Sequence, residues 1–373
     1  MTNTVPMPSG WPGNDLAVHR RATYVGNHKI SYVTGGHGPA VLLLHGIGAS
    51  SYAWRHALPL LAQHFTVYAP DMLGCGESDK PDIDYDVATM TEYLCEFMDN
   101  LGITHAHFVG HSLGGGMTLH FYSKYPERMD RVALISPGGL GRAVHWLLRA
   151  STLPGADGVL GAISHPGTHL SQASRALERR RMRRLDVEFD DSVPNILDRL
   201  HSAETRTAFL RMVRHASGLH GQKLSVQHLL ATFDKDVLII WGANDRTIPM
   251  IHGVAAARIM PRAKLVILPN CFHRPPIEAP GPCNDELMRF LLAPTWPPTE
   301  QPIPISTLYP PDVAKPFAAY AQFDGDRAPW YDAFGPHARW RRLAPAALAI
   351  VSSAASASLL ANHRRRLRRA ARR

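Results

Sequence analysis

Three residues of this 373-residue chain are set up for covalent chemistry: Ser112, His273 and Asp245. Ser112 stands in Gly110-His111-Ser112-Leu113-Gly114, after the apolar pair Phe108-Val109 and before a helical pattern. Gly-x-Ser-x-Gly between a strand and a helix is a nucleophile elbow. The turn strains the serine backbone, points the hydroxyl out of the sheet, and needs glycines where a side chain would collide with neighbouring elements. A serine hydroxyl is a weak nucleophile until a base takes its proton. His273, in Asn270-Cys271-Phe272-His273-Arg274, is the candidate base, and Asp245, in Gly242-Ala243-Asn244-Asp245-Arg246, is the candidate acid that would hold its tautomer. The chain order Ser, Asp, His suits a nucleophile elbow, and both partners follow apolar runs. The other strand end at which an acid could stand reads Ser136-Pro137 and offers no carboxylate.

Acyl transfer also needs donors for a developing oxyanion. The Leu113 N–H lies at the start of the helix after the elbow, where the helix supplies no acceptor. The second donor is assigned to the Ile47 N–H, in the glycine loop His45-Gly46-Ile47-Gly48. His45, Gly46, His111 and Trp54 flank this loop and the elbow and are the candidate pocket residues. Asp71-Met72-Leu73-Gly74-Cys75-Gly76-Glu77-Ser78 contains Gly-x-Gly but completes no phosphate-binding motif, so it reads as a structural turn. His105 and His107 share one face if strand runs through them, with no third ligand nearby, so no metal is expected. No cofactor motif appears either.

The elements that must position these groups follow from periodicity. Two β-prone runs in 21–34 surround Gly26-Asn27, a hairpin signal. Residues 40–44, 65–70, 131–136, 236–241 and 264–268 are short apolar runs of the kind buried on both faces of a sheet. Residues 87–101 and about 115–125 carry helical spacing. Strand and helix alternate, which predicts a mostly parallel sheet with helices on both faces and a ligand site beyond the carboxyl ends of the strands. The rhythm breaks at 138–230, rich in Ala, Leu, Met and Arg. It reads as a helical cap inserted after the sixth strand. Its stretch 175–184 holds six arginines, read as a solvated helix face, with attraction for anionic substrates or lipid headgroups as the alternative.

The formal charge of +9 is localised. Ten arginines and no acid fall in 339–373, which leaves 30 basic and 31 acidic residues in 1–338. The high charge is therefore a property of the tail and carries no information about what the main body binds. Four scattered cysteines without a CxxC pair, and no apolar leader at the N-terminus, point to a cytoplasmic protein with free thiols. Residues 294–316 contain eight prolines and read as an extended linker. Residues 343–361 are uncharged, and as a helix would span roughly 28 Å. Weakly apolar and flanked by arginines, 339–373 reads as a disordered or soluble helical tail, with membrane association as the alternative. No nucleic-acid fold accompanies it, so nucleic acid is not expected as a partner. No oligomeric state is implied.

HGIG at 45–48, DMLGCGESDKP at 71–81, GHSLGG at 110–115, WGANDRTIP at 241–249 and the late His273 together resemble the α/β-hydrolase superfamily over about residues 20–293. They look most like its branch of serine esterases and carbon–carbon bond hydrolases. The resemblance implies an α/β-hydrolase fold without a cofactor. Within it the core would be 20–137 and 231–293 and the cap 138–230; outside the resemblance, composition reads 1–19 as a lead-in, 294–338 as a Pro-rich linker and aromatic segment, and 339–373 as the tail. The expected substrate is a small-molecule carboxylic ester, lipid-like ester or thioester; a ring-fission diketone, or a binding role without turnover, is the alternative. Phe272 replaces the glycine common before the catalytic histidine, and Arg274-Pro275-Pro276 and Trp54-Arg55 depart from the carbon–carbon hydrolase pattern.

Overall fold

The computed structural model describes residues 18–165, 167–185, 187 and 196–296. The chain divides into units 1–302 and 303–373, and the linker beyond Trp296, the aromatic segment and the Arg-rich tail lie outside the described residues.

Eight strands form one sheet: β1 (Val18–Val25), β2 (His28–Gly35), β3 (Ala40–Leu44), β4 (Thr66–Pro70), β5 (Ala106–His111), β6 (Met129–Ile135), β9 (Val237–Gly242) and β10 (Ala263–Leu268). A separate two-residue hairpin pairs β7 (Ser217–Gly218) with β8 (Gly221–Gln222). The order in the large sheet is β1-β2-β4-β3-β5-β6-β9-β10. Within this sheet only the β1/β2 and β2/β4 pairs are antiparallel. Val18 and His19, expected in the lead-in at 1–19, belong to β1, where Val18 pairs with Gly35; residues 1–17 lie outside the described residues. A turn at Gly26, with φ of 54°, closes that hairpin.

Helices α1 (Leu58–Leu61), α2 (Val87–Asn100), α3 (Leu113–Lys124), α9 (Ile251–Ile259), α10 (Pro275–Glu278) and α11 (Pro280–Leu292) accompany the sheet. α2 starts where Asp86 accepts the Thr89 N–H at 3.0 Å, a side-chain cap. α3 starts directly at Leu113, earlier than its apolar pattern suggests, because the elbow turns straight into it. Val41, Leu43, Val109, Ala133, Ile135, Leu238 and Ile240 bury one face of the central strands against Trp54, Phe65 and Phe290. Continuous burial from β3 to β9 explains the absence of polar alternation in these runs.

Between β6 and β9 lie α4 (Trp146–Ala150), α5 (Ala156–Ile163), α6 (His169–Arg184), α7 (Ile196–Arg199) and α8 (Ala203–Ala216), with the β7/β8 hairpin. Leu200, Phe209, Leu210 and Val213 form a second apolar cluster, against which Ile47, Leu148 and Leu160 pack. The inserted helices thus sit on the glycine loop after β3. No helix among the described residues is long and apolar enough to cross a membrane.

The 71–78 loop is held by a buried carboxylate. Asp71 accepts the N–H groups of Ser51 (2.6 Å) and Glu77 (2.8 Å) and pairs with Arg20 at 3.1 Å. Burial works against the Asp71 charge, yet Arg20 and the backbone donors keep its pKa below the ordinary value. His105 precedes β5 rather than lying in it and faces Asp130 at 2.9 Å, while the His107 Nδ1 accepts the Arg131 N–H at 3.2 Å. The two histidines therefore serve different neighbours.

Candidate active site

β5 delivers Ser112 at the centre of the sheet edge. Its φ of 54° lies in the left-handed region, at a cost of order 1–3 kcal/mol. The surroundings hold it there: its N–H donates to the Ile135 carbonyl (3.0 Å), and its carbonyl accepts from Gly138 (2.9 Å) and Gly116 (3.1 Å). A methyl group at Gly114 would collide with the carbonyl oxygens of Leu44 and His45, so glycine is required for α3 to approach β3 this closely.

The loops after β9 and β10 bring the other two groups to the same edge. His273 Nε2 stands 3.0 Å from Ser112 Oγ, and His273 Nδ1 stands 2.8 Å from Asp245 Oδ2. The Asp245 side chain is fully buried and its charge is well supplied with donors. Oδ1 accepts the N–H groups of Thr247 (2.7 Å) and Ile248 (3.0 Å), and Oδ2 also accepts the Trp241 indole N–H at 3.1 Å. Trp241 was not legible as a site residue in the sequence, since it reads as one more apolar residue of a buried strand. Gly242 lets the histidine loop close over β9, because a methyl group there would collide with the Phe272 carbonyl.

Ser112, Leu113 and Ile47 share the wall of one partly open cavity. Leu113 is the first residue of α3, so its N–H has no acceptor within the helix. The remaining walls come from the inserted segment and its flanks: Val144, Leu148, Val213, Leu224 and Ile248 among them. Gln222 also lines it, but its amide is engaged in holding backbone. Its Oε1 accepts the Gly139 N–H at 2.9 Å and its Nε2 donates to the Ala143 carbonyl at 3.0 Å.

The four candidate pocket residues are not among the lining residues. Trp54 is wholly buried in the apolar core beneath the sheet edge. His45 is fully buried, and burial lowers its pKa despite the nearby Asp71. The neutral ring accepts the Met72 N–H on Nε2 (2.9 Å), so Nδ1 carries the proton and donates to the Gly46 carbonyl (2.8 Å). Gly46 is a close-approach residue, since an added methyl would stand 3.0 Å from His111 Nδ1. His111 is pushed down to about 3 by burial and then by the neighbouring His273, so it is neutral. Its Nε2–H donates to the His273 backbone carbonyl at 2.8 Å. These four residues pack around the elbow and the glycine loop without lining the cavity. Sequence position placed them at the edge, but packing decides which side chains face the cavity.

The site can therefore carry out proton transfer from a serine hydroxyl to an imidazole beside an apolar cavity. A family model described as alpha/beta hydrolase fold matches residues 39–280. An uncharacterized protein of Mycobacterium tuberculosis is 33% identical over 280 residues, which cover 72% of this chain and 79% of that protein. The 2-hydroxy-6-oxo-6-phenylhexa-2,4-dienoate hydrolase of Burkholderia cepacia is 30% identical over 262 residues, covering 66% of this chain and 85% of that enzyme. Among solved structures, a bacterial membrane phospholipase A superposes with a TM-score of 0.56 at 25% identity, covering 74% of this chain and 86% of that one.

Proposed function

We propose that this chain, which belongs to the alpha/beta hydrolase family, cleaves carboxylic esters through an acyl-enzyme on Ser112. The observation that carries the reading is the hydrogen-bonded series Ser112–His273–Asp245, at 3.0 and 2.8 Å, opening onto the cavity. His273 Nε2 takes the Ser112 proton as Oγ attacks the ester carbonyl. Asp245 holds the Nδ1–H tautomer and stabilises the imidazolium. The Ile47 and Leu113 N–H groups receive the oxyanion, each contributing about 3 kcal/mol to the barrier reduction. His273 then protonates the leaving alcohol, and a water activated by the same imidazole releases the acid.

Relatives named for dienoate and phospholipid substrates leave the bond type open within the family. The cavity favours an uncharged acyl group. Among the described residues its lining has no cationic side chain to meet a dienoate carboxylate, and its main polar side chain besides the serines is the engaged Gln222. The test is hydrolysis of a graded series of aryl acyl esters by the wild type and by Ser112→Ala. The wild type should turn over esters, and the variant should lose about a thousandfold or more in kcat/KM. A wild type inert on every ester but active on a ring-fission diketone would replace this reading with the carbon–carbon one.

A further inference from the structure

Glu278 ends α10 five residues after His273, and its side chain is fully buried. Its Oε2 accepts the Phe272 N–H at 2.8 Å and the Cys271 thiol at 3.8 Å. Its Oε1 accepts from Arg274 Nε at 3.3 Å and from Arg181 Nη2. Three of these four donors belong to the loop that carries His273. The fourth, Arg181, comes from α6 in the inserted segment.

A second ion pair runs the opposite way. Arg274, next to His273, donates to Glu178 of α6 at 2.7 Å. Arg181 also lies over the Phe272 ring, 4.2 Å from its centroid. α6 thus sends a cation to the core carboxylate and an anion to the core guanidinium. Burial opposes the Arg274 charge, but Glu178 and Glu278 outweigh it and raise its pKa. The residues on both sides of His273 are held by this network, while the His273 carbonyl is held from the elbow by His111.

We propose that Glu278 is a positioning residue for His273, and that Arg181 and Glu178 form with Glu278 and Arg274 an ionic latch through which the seating of α6 fixes the histidine loop. The inference rests on Ser112 and His273 being nucleophile and base. With the latch made, the Phe272 N–H and the Arg274 side chain are both anchored, and the imidazole between them keeps its reach to Ser112. With α6 displaced, Glu278 loses its outer cation, Arg274 loses its second carboxylate, and the loop loses its fixed position. None of the four latch residues lines the cavity, so breaking the latch changes proton transfer more than substrate binding.

The test uses a fluorophosphonate, which Ser112 attacks with formation of an O–P bond, loss of fluoride and proton transfer to His273. The full chain is compared as wild type, Ser112→Ala, Arg181→Met, Arg181→Lys and Glu178→Gln, each with its unfolding midpoint recorded. Labelling at Ser112 should slow about tenfold or more in Arg181→Met, as expected for a small misplacement of a catalytic group, and less in Glu178→Gln. Arg181→Lys, which keeps the cation, should recover most of the rate. On an ester substrate the loss should appear in kcat, with KM little changed. Folded Arg181→Met and Glu178→Gln that both label at the wild-type rate overturn the latch and leave the nucleophile reading intact. Should Arg181→Met not fold, Glu178→Gln at the wild-type rate overturns it alone. A wild type that is not labelled overturns the nucleophile reading, and the latch with it.

Discussion

Four donors converge on the Asp245 carboxylate, and three of them are not His273. Two are backbone groups that no substitution of a side chain removes. The third, the Trp241 indole, shares its N–H between Asp245 and the Ile248 carbonyl, both at 3.1 Å. A hydrogen bond to a charged group is worth about 1.5–3 kcal/mol. Trp241→Phe keeps the ring in the core and removes only this donor. It should lower kcat about tenfold on an aryl ester while leaving KM near the wild-type value, the sharing of the proton keeping the loss toward the lower end of that range. Unchanged kcat would mean that the backbone donors alone hold the carboxylate.

The elbow is one unit made of β5, the turn and α3. Ser112 keeps its left-handed φ because three backbone hydrogen bonds fix it and because Gly114 lets α3 pass under the end of β3. The carbonyls of Leu44 and His45 belong to the sheet and its loop and have little freedom to retreat. Gly114→Ala should therefore destabilise the fold by about 2–3 kcal/mol, the cost of overpacking a well-packed junction. Chemical denaturation would read this as a lower midpoint at an unchanged slope. A midpoint equal to that of the wild type would show that α3 can shift without loss.

Buried histidines, His111 and His252 among them, give the fold a pH-dependent stability. His111 is pushed down to about 3 by burial and by His273. His252 is pushed down to about 4 by burial, against the pull of Asp245. In the unfolded chain both would protonate near 6.5. The folded pKa is the lower one, so the unfolded state binds more protons as pH falls below 6.5. The stabilisation is complete above 6.5 and is lost as pH drops toward 4, at about 1.4 kcal/mol per pH unit for each histidine. Urea unfolding at pH 7.5, 6 and 5 should show a falling midpoint, and a flat one would mean that these rings protonate in the folded protein.

The sequence by itself determined the parallel core, the inserted helical segment and the three residues that meet at the sheet edge. That information is local: apolar runs of strand length, a glycine-framed serine, and polar residues just past the strand ends. Ser112, Asp245 and His273 could be singled out because a nucleophile elbow demands partners in a fixed chain order. Position along the chain did not tell which side chains face the cavity. His45, Gly46, His111 and Trp54 lie close to the elbow or the glycine loop and line none of the cavity, while Val213 and Leu224, about a hundred residues on, do. Nor did it reveal that Trp241 steadies Asp245, or that the arginine-rich stretch 175–184 turns Arg181 inward to Glu278 rather than leaving a wholly solvated face. These are contacts between segments distant in the chain. Facing, burial and ion pairing across them depend on how strands and helices pack, and only the tertiary structure decides that.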